Sequence, residues 1–303
     1  MGKLLIVLLG PTGVGKTDLS ISLARWLNSP IISCDSRQFY RQLRIGVAAP
    51  TQEQLERVQH YFVGMLDIED AYNAARFEED ALRLIAELHA KQSVSMMAGG
   101  AMMYIDAVCK GIDQLPDISP ELHAELCAVF ETEGLAPLCR QLKLLDPQHY
   151  FQVDLKNPKR VIHALEICLT AGKPYSSLRT NPQKARPFEI VKIGLRRSRE
   201  ELYARINARV DEMMNAGLLD EVESLLPFRS YNALNTVGYK ELFTYFEGQC
   251  SLDEAVEKIK QHTRIYSRKQ MSWFNKDPSI SWFHPDESEK IFEFLKKCMS
   301  IER

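Results

Sequence analysis

Short apolar runs alternate with helical patterns along the first third of the chain. Residues 4–9 form a continuous apolar run, and the next segment carries leucines at the helical spacing i, i+4 and i+8. A second run, "PIISCD", ends in Asp35, and a third, "SVSMMAGG", continues into the helical pattern "AMMYIDAV". A fourth, "FEIVKIGL", lies at 188–195. This alternation predicts an α/β fold with a mainly parallel sheet flanked by helices.

The middle of the chain follows a different pattern. Helical segments such as "SPELHAELCAVFETEG" and "NPKRVIHALEICLTAG" follow one another there without a clear strand. We therefore predict a helical insertion at 111–187, in an α/β core that begins at 1–110 and is completed by 188–303. Helical patterns dominate the last part of the chain, with candidate helices at 199–226, 237–246 and 251–274.

Composition excludes several classes of protein. The 303 residues are 45% hydrophobic and 26% charged, which is ordinary for a globular protein. A net charge of −2 gives no basic field over the whole molecule, so a nucleic acid would have to be bound by local patches. The seven cysteines are scattered without zinc-ligand spacing. We see no membrane span and no secretion signal, and we expect a cytoplasmic protein.

The segment "GPTGVGKT" connects the first apolar run to the first helical pattern, and it fits the phosphate-binding motif G-x-x-x-x-G-K-[ST]. Glycines allow backbone N–H groups to turn toward a phosphate, and the helix N-terminus adds positive potential. Lys16 supplies a cation, and the Thr17 hydroxyl is a typical ligand for Mg²⁺. The predicted binding loop consists of Gly10, Pro11, Thr12, Gly13, Val14, Gly15, Lys16 and Thr17.

An acidic residue after a second apolar strand would complete such a site. The candidates are Asp35, at the end of "IISCD", and Asp67, at the end of "FVGMLD". Asp35 is favoured, because the carboxyl ends of parallel strands lie along one edge of the sheet, where ligands bind.

The phosphate loop and Asp35 leave two reaction classes open. One is a small-molecule kinase, and the other is a transferase that holds a diphosphate leaving group while Asp35 accepts a proton from the attacking group.

Further segments resemble the tRNA dimethylallyltransferases, also called tRNA isopentenyltransferases, of bacteria. They occur in the family's order and extend over nearly the whole chain: "CDSRQFYRQLRIGVAAP", "YNAARF", "AGGAMMYIDAV", "NPKRVIHALEI", "REELYARINARVDEMMNAGLLDEV", "TVGYKEL" and "TRIYSRKQMSWF". The phosphate loop alone is shared by many families, whereas this ordered set is specific.

The resemblance implies an activity and a set of partners. A dimethylallyl group would pass from dimethylallyl diphosphate to the exocyclic amine of the adenosine 3′-adjacent to the anticodon, in tRNAs that read codons beginning with U. Asp35 would be the base, Arg209 a second cation on the diphosphate and Mg²⁺ the cofactor. The target adenosine would be extruded from the anticodon loop, and the protein would act as a monomer.

The resemblance also assigns residues to tRNA binding. They are Asp35, Ser36, Arg37 and Gln38, Ala101, His123, the segment Lys159, Arg160, Val161, Ile162 and His163, and Arg264 and Arg268 of the last block. Spacing places Arg264 and Arg268 on one helical face, which suits RNA phosphates. The aromatic residues beside them, Tyr266 and Trp273, are expected in the core, because aromatic side chains are commonly buried.

The sequence departs from the family pattern at several of these positions. Ala101 stands where threonine is usual, Val47 and Ala49 replace threonine and lysine, and His123 and His163 replace arginines. Each change removes a hydroxyl or a permanent cation, so we expect altered tRNA affinity or choice. Besides the kinase, two alternatives stay open: a prenyltransferase for free AMP or ADP, and a non-catalytic RNA-binding protein.

Overall fold

The apolar runs form the strands of one sheet in a computed structural model, which describes residues 2–180 and 183–300. The six strands are β1 (Leu4–Leu9), β2 (Ile31–Cys34), β3 (His60–Tyr61), β4 (Val94–Gly99), β5 (Glu189–Leu195) and β6 (Ile280–Phe283). They lie in the order β3-β2-β4-β1-β5-β6, and every neighbouring pair is parallel. The predicted parallel α/β fold is confirmed.

The central strand β1 is buried on both faces of the sheet. Its side chains alternate between two clusters: Leu5, Val7 and Leu9 pack on one face, and Leu4, Ile6 and Leu8 pack on the other. All six are at most 2% exposed. Because helices cover both faces, the strand is apolar at every position instead of alternating with polar residues.

Helices connect the strands and form the rest of the chain. In the α/β core they are α1 (Lys16–Leu27), α2 (Gln52–Arg57), α3 (Ala74–His89), α4 (Met102–Lys110), α10 (Arg199–Asn215), α11 (Leu218–Ser224), α12 (Tyr239–Phe246), α13 (Leu252–Phe274) and α14 (Ser288–Ser300). The middle segment carries α5 (Pro120–Glu133), α6 (Leu135–Leu145), α7 (Pro147–Tyr150), α8 (Pro158–Ala171) and α9 (Tyr175–Leu178). Two 3₁₀ turns lie at Leu226–Phe228 and Asn232–Leu234.

The chain divides into two compact units. One comprises residues 1–109 and 185–303, and the other comprises 110–184. The predicted insertion, 111–187, differs from the second unit by one residue at its start and three at its end. That unit has its own core, in which α8 contributes the buried Val161 and Leu165 and α6 contributes Leu142.

Some predicted elements were wrong in detail. The candidate helix 199–226 is broken at Gly217, whose φ of 97° allows the chain to turn between α10 and α11. The run "FVGMLD" is not a regular strand, and Asp67 at its end pairs with Arg41 in a half-exposed ion pair. The edge strands β3 and β6 were missed, because runs of two and four residues give little periodicity.

The carboxyl ends of four strands meet at one edge of the sheet. The phosphate loop follows β1, Asp35 follows β2, Gly100 follows β4, and Arg196 and Arg197 follow β5. Parallel pairing brings these strand ends together and therefore positions the candidate site.

Membrane-spanning helices and clusters of metal ligands are both absent from the described residues. No helix in the described part of the chain is long and apolar enough to cross a membrane. All seven cysteines are free, and residues 2–180 and 183–300 contain no cluster of three or more metal-ligating side chains.

A buried ion pair ties the sheet to the segment after α13. Lys192 of β5 donates to Asp277 Oδ2 at 2.7 Å, and the two side chains are 9% and 15% exposed. Burial alone would raise the pKa of Asp277, but the hydrogen bonds from Lys192 and Ser279 outweigh it and hold this pKa well below its ordinary value. The charged carboxylate therefore stabilises the fold above about pH 4, and this contribution decreases as pH falls.

Asp277→Asn is expected to lower the free energy of unfolding by about 3 kcal/mol at neutral pH, because it leaves the buried ammonium of Lys192 without its counter-ion. The difference from wild type should shrink as pH falls below about 4, where the carboxylate becomes protonated in the unfolded wild-type chain while it stays charged in the folded protein. Urea unfolding at several pH values measures both effects.

The control is Arg83→Gln, which removes one partner of the exposed Arg83–Asp80 pair. It should change the unfolding free energy by less than about 0.5 kcal/mol. Equal effects of the two variants would contradict the assignment of Lys192–Asp277 as the stabilising pair.

Candidate active site

Glycines allow the turn between β1 and α1. Gly10, Gly13 and Gly15 have φ values of 154°, 80° and 104°. At Gly13 and Gly15 these angles are in the left-handed region that other residues rarely adopt. A Cβ at Gly13 would also lie 2.9 Å from the side chain of Ile206, so α10 packs directly against the loop. The loop therefore has the backbone path that its sequence predicts.

Lys16 begins α1 and folds back over the loop. Its ammonium donates to the carbonyl oxygens of Gly10 and Pro11, both at 2.9 Å. Burial lowers the pKa of Lys16 to about 8, an effect that the negative charge of Asp35 partly offsets and the positive charge of Arg209 adds to. Thr17, the predicted magnesium ligand, lies beside it in the wall of the same cavity. A cation and a hydroxyl thus face one space.

Asp35 follows β2 and faces the same cavity as Lys16. Its Oδ1 atom accepts a hydrogen bond from the Arg37 backbone N–H at 3.1 Å. Among the described residues, Asp35 Oδ2 has no hydrogen-bond partner. Because Asp35 lines the cavity, this oxygen atom could accept a proton there.

The side chains after Asp35 mainly hold neighbouring loops. The Arg37 guanidinium donates to the carbonyls of Asn232 and Ala233, and the Gln38 amide donates to the carbonyls of Val47 and Ala48. Ser36, Arg37 and Gln38 all line the cavity. The structure therefore brings the predicted segment 35–38 to the site and adds a structural role for two of its side chains.

One face of α10 supplies further charge. Arg205, Arg209 and Glu212 line the cavity at the helical spacing i, i+4 and i+7. Burial lowers the pKa of Arg209, an effect that the nearby Asp35 partly offsets, but a guanidinium stays protonated at neutral pH. Arg209 is thus where the sequence predicts it. Arg205 was missed, although its spacing from Arg209 could have identified it.

One face of α13 forms another wall. Ile259, Thr263, Tyr266 and Gln270 face the cavity at the spacing i, i+4, i+7 and i+11. Burial of its hydroxyl and the nearby Asp35 raise the pKa of Tyr266 to about 12, so its phenol is protonated at neutral pH. The expected burial of two aromatic residues in the core was wrong, because Tyr266 is 38% exposed and Trp273 is 40% exposed.

Gln270 connects the phosphate loop to the end of β4. Its Oε1 atom accepts the Thr12 N–H, and its amide nitrogen donates to the Gly100 carbonyl, both at 2.9 Å. The side chain is buried, and the two residues it bonds lie 258 and 170 positions before it in the sequence. Sequence reasoning missed this role, but the stripe of α13 side chains was a signal for it.

A carboxylate from α11 fixes the loop that carries the family departures Val47 and Ala49. Glu221 accepts the backbone N–H groups of residues 44–46 at 2.7–3.1 Å, and the Tyr239 hydroxyl donates to the same carboxylate at 2.7 Å. Val47 and Ala48 of this loop reach the cavity wall. Neither Glu221 nor Tyr239 was predicted.

The assembled cavity has a volume of about 750 Å³. Cations lie at its phosphate-loop end, and the carboxylate of Asp35 faces the same space. Its wall also includes the apolar side chains of Val47, Ile206, Met213, Leu218, Val237 and Ile259. The site can therefore hold a phosphorylated ligand together with an apolar group.

Not every predicted residue faces this cavity. Val14 is fully buried, and Gly10 and Pro11 contribute their carbonyl groups to the Lys16 ammonium. Ala101 is 8% exposed and packs in the core, so its assignment to tRNA binding is corrected: a buried methyl group offers RNA neither a surface nor a hydrogen bond.

The predicted tRNA contacts of the second unit divide by helical face. Lys159 and Arg160 at the start of α8 are exposed. Val161 and Ile162 are 0% and 6% exposed in that unit's core, so their assignment to tRNA binding is corrected because the helical period turns them inward.

The two histidines of this unit share one buried carboxylate. Nδ1 of His123 contacts Glu166 Oε1, and Nδ1 of His163 lies 3.6 Å from Glu166 Oε2. Both histidine side chains are about half-exposed, whereas that of Glu166 is buried. Their positions at the surface are compatible with RNA contact, but one nitrogen of each ring faces the protein.

Arg264 and Arg268 lie on one face of α13, as predicted, and surround a tyrosine of α10. The Arg268 guanidinium donates to the Tyr203 hydroxyl at 3.2 Å, and Arg264 lies over the Tyr203 ring at 5.9 Å. Arg199 lies over the same ring at 5.2 Å. Among the described residues, no carboxylate pairs with these three guanidiniums. They form a basic patch outside the cavity.

The pKa of Lys16 predicts weaker binding of phosphate ligands at alkaline pH. Since the ammonium of Lys16 is charged below about pH 8, affinity for an alkyl diphosphate should fall about tenfold from about pH 7 to about pH 9. The charge of the ligand changes little over this range, because the last pKa of a phosphate monoester is about 6.

Calorimetric titration across this range tests the expectation. Lys16→Arg is the control, since its guanidinium stays charged and its affinity should be independent of pH. A pH-independent affinity of the wild-type protein would contradict the role of Lys16.

Comparisons with known proteins identify the family. Residues 38–277 match the family model described as IPP transferase. The chain is 60% identical to tRNA dimethylallyltransferase 2 of Parabacteroides distasonis, over 97% of this chain and 98% of the relative. It is 57% identical to tRNA dimethylallyltransferase 1 of Bacteroides thetaiotaomicron, over 96% and 95%. The solved structure of the tRNA isopentenylpyrophosphate transferase of Bacillus halodurans matches with a TM-score of 0.70 and 32% identity, over 98% and 96%. The chain therefore belongs to the IPP transferase family.

Proposed function

We propose that this protein transfers a dimethylallyl group from dimethylallyl diphosphate to the exocyclic amine of the adenosine 3′-adjacent to the anticodon, in tRNAs that read codons beginning with U. The observation that carries the proposal is the single cavity in which the phosphate loop, Asp35 and Arg209 meet an apolar wall. Curated relatives at 57–60% identity carry the name tRNA dimethylallyltransferase, which supports it.

The cations act on the leaving group. As the allylic carbon–oxygen bond breaks, its electron pair goes to the diphosphate oxygen, and negative charge accumulates there. The loop N–H groups, Lys16 and Arg209 stabilise that charge within a partly enclosed site. The apolar side chains of Val47, Met213 and Ile259 suit the five-carbon chain and exclude water from the reactive carbon.

Asp35 acts on the nucleophile. An adenine amine is a weak nucleophile, and when its nitrogen bonds to the allylic carbon an N–H proton must leave. Asp35 accepts that proton at its unbonded Oδ2 atom. A positioned base of this kind contributes about 10² to 10⁴ in rate, which is roughly 3 to 5.5 kcal/mol of barrier.

Magnesium is the proposed cofactor. The Thr17 hydroxyl lines the cavity, and Mg²⁺ prefers such oxygen ligands. Thr17 would hold the ion, and oxygens of the diphosphate would supply most of its other ligands, because this metal is usually bound by few protein groups. Bound Mg²⁺ would neutralise part of the charge on the diphosphate.

The acceptor requires contacts with RNA. The target adenosine must leave its stack to reach the cavity, and Tyr266 offers a half-exposed ring in the wall. The basic patch of Arg199, Arg264 and Arg268 suits the phosphate backbone. Lys159 and Arg160 of the second unit supply two further exposed cations. We propose that the protein acts as a monomer in the cytoplasm.

A transfer assay tests the function and its alternatives. The protein, Mg²⁺ and dimethylallyl diphosphate are incubated with an anticodon stem-loop that has consecutive adenosines after the anticodon. The RNA should gain the mass of one prenyl group, and a stem-loop with guanosine at the target position should gain none.

Other outcomes would point to the alternatives. Release of inorganic phosphate from ATP, without an RNA adduct, would indicate a kinase. A prenyl adduct on free AMP or ADP, but not on RNA, would indicate the mononucleotide enzyme. RNA binding without an adduct on the stem-loop or on full-length tRNA would indicate a non-catalytic binding protein.

Asp35→Asn tests the base. The variant keeps the shape of the side chain but cannot accept the proton, so kcat should fall at least about a hundredfold, while tRNA affinity should change little. The matched control is Asp18→Asn, which alters an exposed carboxylate of the same cavity and should leave kcat within about threefold of wild type. Near-normal turnover of Asp35→Asn would remove Asp35 from the mechanism.

A further inference from the structure

Two arginines hold the phosphate loop through its carbonyl groups. Nε of Arg197 donates to the carbonyl oxygen of Val14 at 3.1 Å, and Nε of Arg205 donates to that of Gly13 at 3.0 Å. A bond from a guanidinium to a neutral carbonyl is charge-assisted and stronger than a bond between neutral groups. The two peptide groups at this turn therefore have fixed orientations.

The orientation of one peptide group matters for a bound anion. In a trans peptide, the carbonyl oxygen of Val14 and the N–H of Gly15 point in opposite directions. When Arg197 bonds the carbonyl from outside, the Gly15 N–H is directed to the opposite side. Gly15 lines the cavity, whereas Arg197 does not. Arg197 thus acts on the cavity only through the loop.

Gly15 needs such external support. Its φ of 104° is accessible to glycine, but glycine adopts many other conformations at little cost. The loop therefore cannot fix this peptide by its own steric constraints. An arginine that bonds the neighbouring carbonyl selects one orientation before the ligand arrives, and such preorganisation increases affinity.

Arg197 is itself held rigidly. Its side chain is only 10% exposed, and both terminal nitrogens contact Asp286, with NH2 to Oδ1 at 2.7 Å and NH1 to Oδ2 at 3.4 Å. The carboxylate balances the guanidinium charge, so the long-range attraction of Arg197 for an anion is reduced. Its main effect on the site is then geometric.

We infer that Arg197 is a positioning residue for the diphosphate: by bonding the Val14 carbonyl it holds the Gly15 N–H toward the leaving group. The inference rests on the proposed function in one respect, which is that the loop binds a diphosphate. Its neighbour Arg205 lines the cavity and could also contact the ligand, so Arg197 provides the cleaner test.

The test compares Arg197→Gln with Arg196→Gln. Arg196 is the adjacent exposed arginine, and among the described residues its side chain bonds no part of the phosphate loop. In Arg197→Gln, the Kd and KM for dimethylallyl diphosphate should rise about tenfold, the value of one hydrogen bond to a charged group. The KM for tRNA should stay within about twofold, and Arg196→Gln should resemble wild type in all three constants.

Arg197→Lys separates charge from geometry. An ammonium keeps the charge but is a point donor that cannot bond the carbonyl and both carboxylate oxygens as the planar guanidinium does. We expect its diphosphate affinity to lie between those of wild type and Arg197→Gln. An affinity equal to wild type would show that charge alone matters and would overturn the positioning role.

Further outcomes are equally decisive. Unchanged diphosphate affinity in Arg197→Gln would overturn the inference, as would a parallel loss of diphosphate and tRNA affinity with a lower melting temperature. A second variant serves if Arg197→Gln does not fold. Asp286→Asn removes the exposed carboxylate that holds the Arg197 guanidinium, so it should weaken diphosphate binding by about two- to threefold. Unchanged binding in Asp286→Asn would count against the inference. If wild type binds dimethylallyl diphosphate but transfers no prenyl group, the proposed function fails, and the calorimetric Kd values still decide the role of Arg197.

Discussion

The orientation of the phosphate loop is the constraint on which the site depends. A loop that presents N–H groups to an anion must turn its carbonyl groups elsewhere, and in this protein cationic side chains bond them. Lys16 bonds Gly10 and Pro11, Arg205 bonds Gly13, and Arg197 bonds Val14. The cations therefore do two things: they satisfy the carbonyls, and they surround the loop with positive charge. Arg197 follows strand β5 and Arg205 lies on helix α10, and the parallel order of the sheet brings both to the edge where the phosphate loop lies.

The same cavity has to serve two substrates of different character. Its phosphate-loop end offers charge to a diphosphate, and its apolar wall offers contact to a short hydrocarbon. Gln270 of α13 bonds the phosphate loop, while Tyr266 of the same helix faces the cavity and Arg264 and Arg268 face outward. One helix thus contacts the donor loop, the cavity and the outer basic patch.

Sequence reasoning identified the parts of the site that depend on local spacing. The loop motif and Asp35 were predicted because each directly follows an apolar strand. Since the carboxyl ends of parallel strands lie along one edge of the sheet, the two were also expected to lie close together. The contacts of Gln270 with Thr12 and of Glu221 with Ile45 join residues 258 and 176 positions apart, which no local pattern reveals. Val161 and Ile162 were assigned to tRNA binding because the family resemblance was applied to all of residues 159–163. Helical periodicity instead places these two side chains in the core of the second unit. Tyr266 was expected in the core because aromatic side chains are commonly buried, but the helix face it occupies borders a cavity.

The loop at 44–48 has a consequence for how such enzymes can diverge. Three of its N–H groups bond the Glu221 carboxylate, and a Cβ at Gly46 would lie 2.7 Å from the Tyr239 ring. The backbone path is therefore fixed, and any side chain at Gly46 would collide with the aromatic ring. Residue 47, which lines the cavity, carries no such constraint, and the family resemblance implied threonine at this position. A mutation at this position can alter the chemistry of the cavity wall while the backbone path of the loop stays unchanged, so related enzymes could specialise without first losing a functional fold.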